Sequence, residues 1–305
     1  MPSLFPNGIW IPDPAAFVEE EGVFVVSCIH SAQRPKTISE RPEKAKNTGM
    51  ESVREAYPAI AALTEEKREE GKRLADHLGV PFYTSAEETE SLPMVLQLDD
   101  SGLTLVSGSL SLQGDFGRML RRITGGRLDH ELLVKAARRK NFGPSPRAVD
   151  ATAGLGEDSV LLAAAGFHVT LCEYNPVTAA LLKDAHVRAL EDPELSEIAE
   201  RMEVVETDSV SYLASLREAP DLILLDPMFP AKQKNALTVK KLQLLQKLEK
   251  PCAGEEDLLN AAIQAGPEKI IIKRPLKGPY LAGRKPGYSI EGKTIRYDCL
   301  VFPRR

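Results

Sequence analysis

The segment LDPMFP at 225–230 places a carboxylate, a proline and an aromatic ring directly after a continuous apolar run. The exocyclic amino group of a nucleobase is a poor nucleophile, because its lone pair is delocalised into the ring. The Asp226 carboxylate and the Pro227 carbonyl can accept both of its N–H bonds and so localise that lone pair. Phe229 can stack on the base, an interaction worth roughly 1–3 kcal/mol. These three residues are therefore predicted to be catalytic in the modification of such an amine.

A glycine-rich turn lies upstream, in the segment VDATAGLGED at 149–158. The first strand of this segment ends at Asp150, and Gly154 and Gly156 then allow the backbone to approach a ligand closely, at the place where doubly wound folds bind nucleotides. Glu173 ends the next predicted strand, 19 residues after Gly154. This spacing is typical of a carboxylate that accepts hydrogen bonds from a ribose. The pattern predicts a ribose-containing cofactor bound by these four residues.

Two acidic residues, Glu157 and Asp158, occupy the first turn of the helix after the glycines. They would compete with a phosphate for the helix N-terminus, so they argue against a nicotinamide dinucleotide and an oxidoreductase. A cationic cofactor without phosphate, S-adenosyl-L-methionine, suits them better. Asp208 follows the third predicted strand and can accept from an adenine amino group, while Ser209 is expected to cap the next helix. The same Asp-Ser pair also suits a plain helix cap without a ligand.

The elements that must position these residues alternate between β-branched runs and amphipathic helical patterns. Strands are predicted at 147–151, 167–173, 202–207, 222–226, 269–273 and 294–302, and helices at 157–165, 177–190, 210–216, 240–248 and 257–265. Strands separated by helix-length segments indicate βαβ units and a mainly parallel sheet. The fold class is therefore predicted to be α/β, with an open, doubly wound, Rossmann-like sheet.

The first half of the chain has weaker patterns. They predict a strand at 22–28, a polar segment at 31–48, a helix at 65–78, and a hairpin of strands 94–98 and 103–107. Three regions follow: an N-terminal extension without an assigned role and partly flexible at 1–65, a small α+β region at 66–127, and the Rossmann-like domain at 128–305.

Composition excludes several classes of protein. With 43% hydrophobic and 27% charged residues, the chain is neither collagen-like nor disordered. It has no apolar run long enough for a membrane helix and no secretory signal at its start. Its four cysteines and five histidines show no metal-ligand spacing. We therefore expect a cytoplasmic protein with reduced thiols, no membrane association and no metal.

Charge is distributed unevenly along a chain whose net charge is −5. Residues 1–100 carry 10 Lys and Arg against 18 Asp and Glu, whereas 115–147 carry 9 against 3 and 268–305 carry 10 against 3. Basic segments on both sides of the motif-rich middle of an acidic protein indicate a polyanionic partner.

The segments VDATAGLGED, CEYNPVTAALLKD, LDPMFPAKQKNAL and IIIKRP together resemble the bacterial ribosomal RNA small subunit methyltransferase J family, over roughly residues 70–305. The resemblance implies a class I S-adenosylmethionine-dependent methyltransferase that methylates N2 of one guanosine near the 3′ end of 16S rRNA, free or in the small ribosomal subunit. It also implies cofactor contacts at Glu157, Asp158, Glu173, Tyr174, Asp208, Ser209 and Asp226. Glu157 and Tyr174 stand where that family carries arginine.

With an RNA substrate, the basic side chains near the motifs become candidate phosphate contacts. They are Arg121, Arg122, Lys232, Lys234, Lys273 and Arg274, with Arg118 and Arg127 beside the first two. Two alternatives remain at this stage. An adenine-N6 or DNA amino methyltransferase would use the same Asp-Pro-x-Phe motif, and a non-catalytic RNA-binding protein could have kept the fold.

Overall fold

Two β-sheets organise residues 57–138, 142–227 and 254–303, the part of the chain that the computed structural model describes. The strands of the smaller sheet are β1 Ala59–Ala62, β2 Phe82–Tyr83, β3 Val95–Asp99, β4 Gly102–Ser107 and β5 Leu110–Gln113. Those of the larger sheet are β6 Arg147–Asp150, β7 His168–Glu173, β8 Met202–Glu206, β9 Leu222–Leu225, β10 Lys269–Pro275, β11 Tyr288–Glu291 and β12 Ile295–Val301.

Eight α-helices join or cover these strands. They are α1 Arg68–Leu78, α2 Leu120–Ile123, α3 Leu132–Ala137, α4 Glu157–Ala164, α5 Pro176–Glu191, α6 Ser196–Ala199, α7 Ser209–Ser215 and α8 Glu255–Gln264 in the described ranges. Short 3-10 turns lie at Glu87–Thr89, Phe116–Met119, Leu128–His130 and Leu281–Gly283. None of the described helices has the length and hydrophobicity of a membrane-spanning helix.

The larger sheet has the strand order β11-β12-β10-β9-β6-β7-β8. The five neighbouring strands β10, β9, β6, β7 and β8 run parallel to one another. Strand β12 pairs antiparallel with β10, and β11 pairs antiparallel with β12. The winding direction reverses between the neighbours β6 and β9, which is the switch point where such sheets bind ligands beyond their carboxyl ends. The predicted doubly wound α/β fold is confirmed. Between 147 and 302, each predicted element that the structure describes lies within two residues of its predicted bounds, whereas α6 and β11 were not predicted.

Both faces of the larger sheet are covered. On β9, Leu222 and Leu224 belong to the core beneath α4 and α5, whereas Ile223 and Leu225 belong to the core beneath α7 and α8. Alternate residues of a strand point to opposite faces. The continuous apolar run LILL therefore marks a strand that is buried on both sides, as predicted.

The smaller sheet has the order β2-β1-β3-β4-β5. Its hairpin of β3 and β4 is confirmed, with Asp99 paired to Gly102 at the turn. Strand β1, which is entirely buried, falls inside the predicted N-terminal extension at 1–65, where the sequence analysis predicted a strand at 22–28 but none at this position. Its sequence, AIAA, is too short and too rich in alanine to indicate a strand.

Helix α5 contributes to the cores of both sheets. Val177 and Leu181 pack with Ile60 and Leu96 of the smaller sheet, while Leu182 packs in the core of the larger one. The two sheets thus share one helix as a common wall.

Three predicted elements fall outside the residues that the structure describes. They are the strand at 22–28, the polar segment at 31–48 and the helix at 240–248.

Strands β5 and β11 are present in the structure but were not predicted, since their sequences, LSLQ and YSIE, have too few apolar residues to indicate burial.

Candidate active site

The glycine turn joins the end of β6 to the start of α4, at the carboxyl edge of the larger sheet. Gly154 and Gly156 both have positive φ angles, +55° and +77°. A Cβ added at Gly154 would meet no atom within 4 Å, so the loop is open there to an approaching ligand. A Cβ at Gly156 would lie 2.8 Å from Leu182 Cδ1 and 3.1 Å from the Phe116 ring. One glycine thus leaves space for a ligand, and the other lets the turn pack against the protein.

Glu173, at the end of β7, braces this turn. Its Oε2 accepts from the Gly154 N–H at 3.0 Å and its Oε1 from the Asn175 N–H at 2.8 Å, and the residue is 7% exposed. Asn175 in turn caps α5 by accepting from two backbone N–H groups. The predicted ribose acceptor is therefore held in a fixed orientation beside the open glycine. Tyr174, next to it, is 38% exposed.

Asp150 lies beneath the turn and is 2% exposed. Its carboxylate accepts from Ser159 Oγ at 2.6 Å and from the Thr152 N–H at 3.1 Å. Burial raises the pKa of Asp150 to about 7, against the opposing effect of the Ser159 hydrogen bond. The sequence predicted a cofactor-binding residue, whereas the structure gives Asp150 internal partners. Its influence on a ligand would act through the loop that it supports.

Asp226 follows β9, immediately across the switch point from the glycine turn. Its N–H donates to Thr152 Oγ1 at 2.6 Å, which ties it to the loop after β6. The ammonium of Lys273, on β10, lies 2.9 Å from Asp226 Oδ2 and 2.7 Å from Asp158 Oδ2 on α4. Burial raises the pKa of the Asp226 carboxyl, and the nearby Lys273 partly offsets that rise.

This ion-pair network bears on the predicted role of Lys273. Lys273 was expected to contact RNA, but its ammonium is engaged by two carboxylates inside the site. The sequence could not indicate this contact, because Asp158 and Lys273 are separated by 115 positions and only the fold brings them together.

The cap of α7 also differs from the expectation. Asp208, not Ser209, is the N-cap, since its Oδ1 accepts from the Ser211 N–H at 2.8 Å. The Ser209 hydroxyl instead donates to the Ala151 carbonyl and joins α7 to the end of β6. Asp208 is exposed at the rim of the site, as is Glu157.

Two other predicted RNA contacts are engaged within the protein. The Arg274 side chain is fully buried and donates to the Pro279 carbonyl at 2.8 Å, with Glu255 Oε1 3.2 Å away. It therefore cannot reach a phosphate in this structure, and the prediction for Arg274 is corrected. Arg122 makes two hydrogen bonds to Glu131, at 2.9 and 2.6 Å, and this hydrogen bonding raises the pKa of the guanidinium.

The remaining candidates divide by position. Arg121 is exposed on α2, and so are Arg118 and Arg127 nearby. Phe229, Lys232 and Lys234 lie outside the described residues, so their roles stay predictions. Pro227 is buried directly after Asp226.

Tyr297 is a site residue that the sequence did not indicate. It faces Lys273 across the β10–β12 pair and is 3% exposed. Burial, followed by the charge of Asp158, raises the pKa of its hydroxyl. A tyrosine in a strand is normally a core residue, and the residues around Tyr297 in the sequence do not indicate that it belongs to a site.

The chemistry of the site fits a cationic, ribose-containing cofactor. Carboxylates of Asp158, Glu173, Asp208 and Asp226 all lie at the edge where Gly154 leaves the loop open. The described residues contain no cluster of His, Cys, Asp and Glu arranged to hold a metal ion. The acidic character that argued against a phosphate-bearing cofactor is therefore a property of the folded site.

Comparison with known proteins gives consistent matches. The family model of SAM-dependent methyltransferases, SAM_MT, matches residues 83–302. Ribosomal RNA small subunit methyltransferase J from Pseudomonas aeruginosa is 36% identical over 253 residues, which are 81% of this chain and 94% of that protein. The protein of the same name from Thioalkalivibrio sulfidiphilus is 38% identical over 251 residues, 80% of this chain and 97% of that one.

A solved structure extends the similarity to the fold. The crystal structure of a SAM-dependent methyltransferase from Neisseria gonorrhoeae has a TM-score of 0.63 and 27% sequence identity, and the match covers 80% of this chain and 95% of that one. The range matched by the family model contains the glycine turn, Asp226, Lys273 and Tyr297.

Proposed function

The chain belongs to the ribosomal RNA small subunit methyltransferase J family of SAM-dependent methyltransferases, and from this premise we propose that it methylates the exocyclic N2 of one guanosine near the 3′ end of 16S rRNA. The observation that carries the proposal is the position of Asp226. It lies at the switch point, tied by Thr152 to the loop of the cofactor-binding turn. A carboxylate at that point can meet an amine from the substrate side while the cofactor lies on the turn.

The cofactor is S-adenosyl-L-methionine, which supplies an electrophilic methyl group carried on a sulfonium. On the protein side, Glu173 is the proposed acceptor for the ribose hydroxyls and Asp208 for the adenine amino group. Asp158, in the first turn of α4, adds negative charge beside them. These carboxylates favour a cofactor with cationic groups over one with phosphates.

The target amine is activated by hydrogen bonding and alignment. Asp226 accepts one N–H of the amine and the Pro227 carbonyl accepts the other, which turns the nitrogen lone pair towards the methyl group. A base in an RNA helix must leave its stack before it reaches this point, at a cost of a few kcal/mol. Phe229 is the proposed stacking partner that offsets part of that cost.

We expect Glu173→Ala to weaken binding of S-adenosylmethionine about tenfold or more, because a ligand hydroxyl left without its acceptor costs roughly 1–3 kcal/mol. Calorimetry on the folded variant measures this affinity. Glu218→Ala is the control, since Glu218 is exposed and pairs with Arg147 at the start of β6, the opposite edge of the sheet. Equal affinities for Glu173→Ala and the wild type would remove Glu173 from the cofactor site.

The RNA surface is proposed to lie around the same edge, but on other cations than Lys273 and Arg274. Lys277 follows β10, and Lys293 lies in the turn between β11 and β12. Pro275 pairs with Ile295, so both lysines lie just beyond the carboxyl end of β10, and both are exposed. Together with Arg121 they can meet the phosphates around a base that enters the site.

We expect Lys277→Ala combined with Lys293→Ala to weaken RNA binding and to flatten its salt dependence, since each lost phosphate contact removes about 0.7–0.9 from the slope of log K against log salt. Filter binding at several salt concentrations measures both quantities. The control is Lys72→Ala with Arg73→Ala, two exposed cations on α1 in the smaller sheet region. If the slope of log K against log salt falls equally in both double variants, the RNA-binding surface does not lie at Lys277 and Lys293.

The proposed partner is 16S rRNA or the small ribosomal subunit, and the proposed location is the cytoplasm, where that RNA is found. The function is tested with 16S rRNA and small subunits from a strain that lacks the gene, incubated with labelled cofactor. We expect label in one guanosine, as N2-methylguanosine after nuclease digestion. Label in DNA or at adenine N6, or tight RNA binding without turnover, would overturn the proposal.

A further inference from the structure

Three charged side chains from separate elements meet between the cofactor turn and the catalytic motif. Asp158 comes from the first turn of α4, Asp226 from the end of β9, and Lys273 from β10. The single ammonium of Lys273 bridges the two carboxylates, at 2.7 and 2.9 Å, and its side chain is 25% exposed. The bridge connects the helix that borders the cofactor with the residue that meets the substrate.

The ammonium cannot serve as a proton acceptor in this position. Burial alone would lower the pKa of Lys273, but the carboxylates of Asp158 and Asp226 outweigh burial and raise it above its ordinary value. A lysine held in its charged form has no lone pair to accept a proton from the substrate. The effect of Lys273 must therefore pass through the carboxylates that it holds.

Removal of the Lys273 ammonium would change the protonation state of Asp226. Two carboxylates that converge in a largely buried place repel each other, and one of them then retains a proton at higher pH. A protonated Asp226 would present an O–H donor where the target amine offers only N–H donors. The site would then lose the acceptor on which the activation of the amine depends.

We propose that Lys273 is a positioning residue for methyl transfer, which keeps Asp226 ionised and fixes its Oδ2 so that Oδ1 is presented to the target amine. This inference rests on the proposed function, because it needs an amine substrate at Asp226. It assigns to Lys273 a task within the chemical step, where its sequence position had indicated RNA binding.

The test compares Lys273→Met, which keeps the length of the side chain without its charge, with Lys273→Arg, which keeps the charge. Single-turnover rates are measured from pH 5 to pH 9 with saturating cofactor and 16S rRNA. For Lys273→Met we expect a rate about 10- to 100-fold lower at pH 7. The acidic limb of its pH–rate profile should move to higher pH by about 1–3 units, the range by which a close opposite charge shifts the pKa of a carboxyl group. Lys273→Arg should restore the limb to near its wild-type position.

The charged and titratable groups that face this cluster come from several elements. These are Asp150, Asp158, Lys273, Arg274, Tyr297 and, next to Asp158 and Tyr297, Arg122. A second readout needs neither cofactor nor RNA. In urea unfolding of the cofactor-free protein, the midpoint difference between wild type and Lys273→Met should be larger at pH 8 than at pH 5, because protonation of Asp226 at the lower pH relieves the repulsion that loss of the ammonium creates.

Lys72→Met, at an exposed position on α1, is the matched control and should leave both readouts unchanged. A purely structural role for Lys273 predicts a slower enzyme with an unmoved limb and a midpoint difference that does not depend on pH, and this result would overturn the inference. If Lys273→Met does not fold, Lys273→Gln and Lys273→Arg give the same comparison. Failure of the wild type to methylate 16S rRNA would instead overturn the proposed function.

Discussion

Asp226→Asn is expected to lower the single-turnover rate of methyl transfer about 100-fold or more, while RNA affinity changes little. The amide keeps the shape of the carboxylate but replaces one acceptor oxygen with an N–H donor, which would face the N–H groups of the target amine. Loss of one properly placed polar group in an active site typically costs about 10²–10³ in rate. RNA affinity is spared because phosphate contacts supply most of the binding free energy.

Rapid-quench measurements at saturating cofactor and RNA give this rate, and filter binding gives the affinity. The matched control is Asp221→Asn, one residue before β9, at the opposite end of the same strand. Asp221 accepts from the Arg147 N–H at 2.7 Å, and an asparagine oxygen there can still accept it. A single-turnover rate for Asp226→Asn close to that of Asp221→Asn would show that the carboxylate does not activate the amine.

Gly156→Ala is expected to destabilise the fold by about 2–5 kcal/mol. A non-glycine residue at a positive φ costs roughly 1–2 kcal/mol, and forcing a methyl group into a packed core costs about 1–3 kcal/mol more. The new Cβ would lie 2.8 Å from Leu182 and 3.1 Å from the Phe116 ring, both parts of packed cores. Urea unfolding of the variant and the wild type measures the difference.

The comparison variant is Gly154→Ala, two residues away in the same turn. Its φ is also positive, but its Cβ would point into open space, so only the conformational cost of about 1–2 kcal/mol applies. Its main effect should be weaker binding of S-adenosylmethionine, since the methyl group would occupy the space left for the ligand. Equal destabilisation by the two variants would show that close packing is not the reason why position 156 requires a glycine.

The features that the sequence predicted well are those encoded locally. The apolar run before Asp226, the glycine turn and the hairpin of β3 and β4 each depend on a few adjacent residues, and the structure has them where they were expected. The predicted spacing of Gly154 and Glu173 corresponds to a direct contact in the structure, because the Gly154 N–H donates a hydrogen bond to the Glu173 carboxylate.

The roles of cations could not be predicted in the same way. A lysine or arginine in a basic segment has the same local pattern whether it faces solvent or an internal carboxylate. Arg274 is buried because the chain returns at Pro279 and α8 brings Glu255 beside it. Lys273 is engaged because the fold brings β10 close to both Asp226, after β9, and Asp158, at the start of α4. Such contacts depend on tertiary structure, and a single sequence does not contain their signal.

The shared helix α5 has a consequence for how the protein can be truncated. Val177, Ala180 and Leu181 are buried by the smaller sheet, so a fragment that begins near residue 128 would expose an apolar stripe along the helix that follows the cofactor strand. We therefore expect a fragment cut at that point to be less stable than the whole protein and more prone to aggregate. A shortened form of the protein that keeps the larger sheet would thus have to keep the smaller sheet as well, because both pack on the same helix.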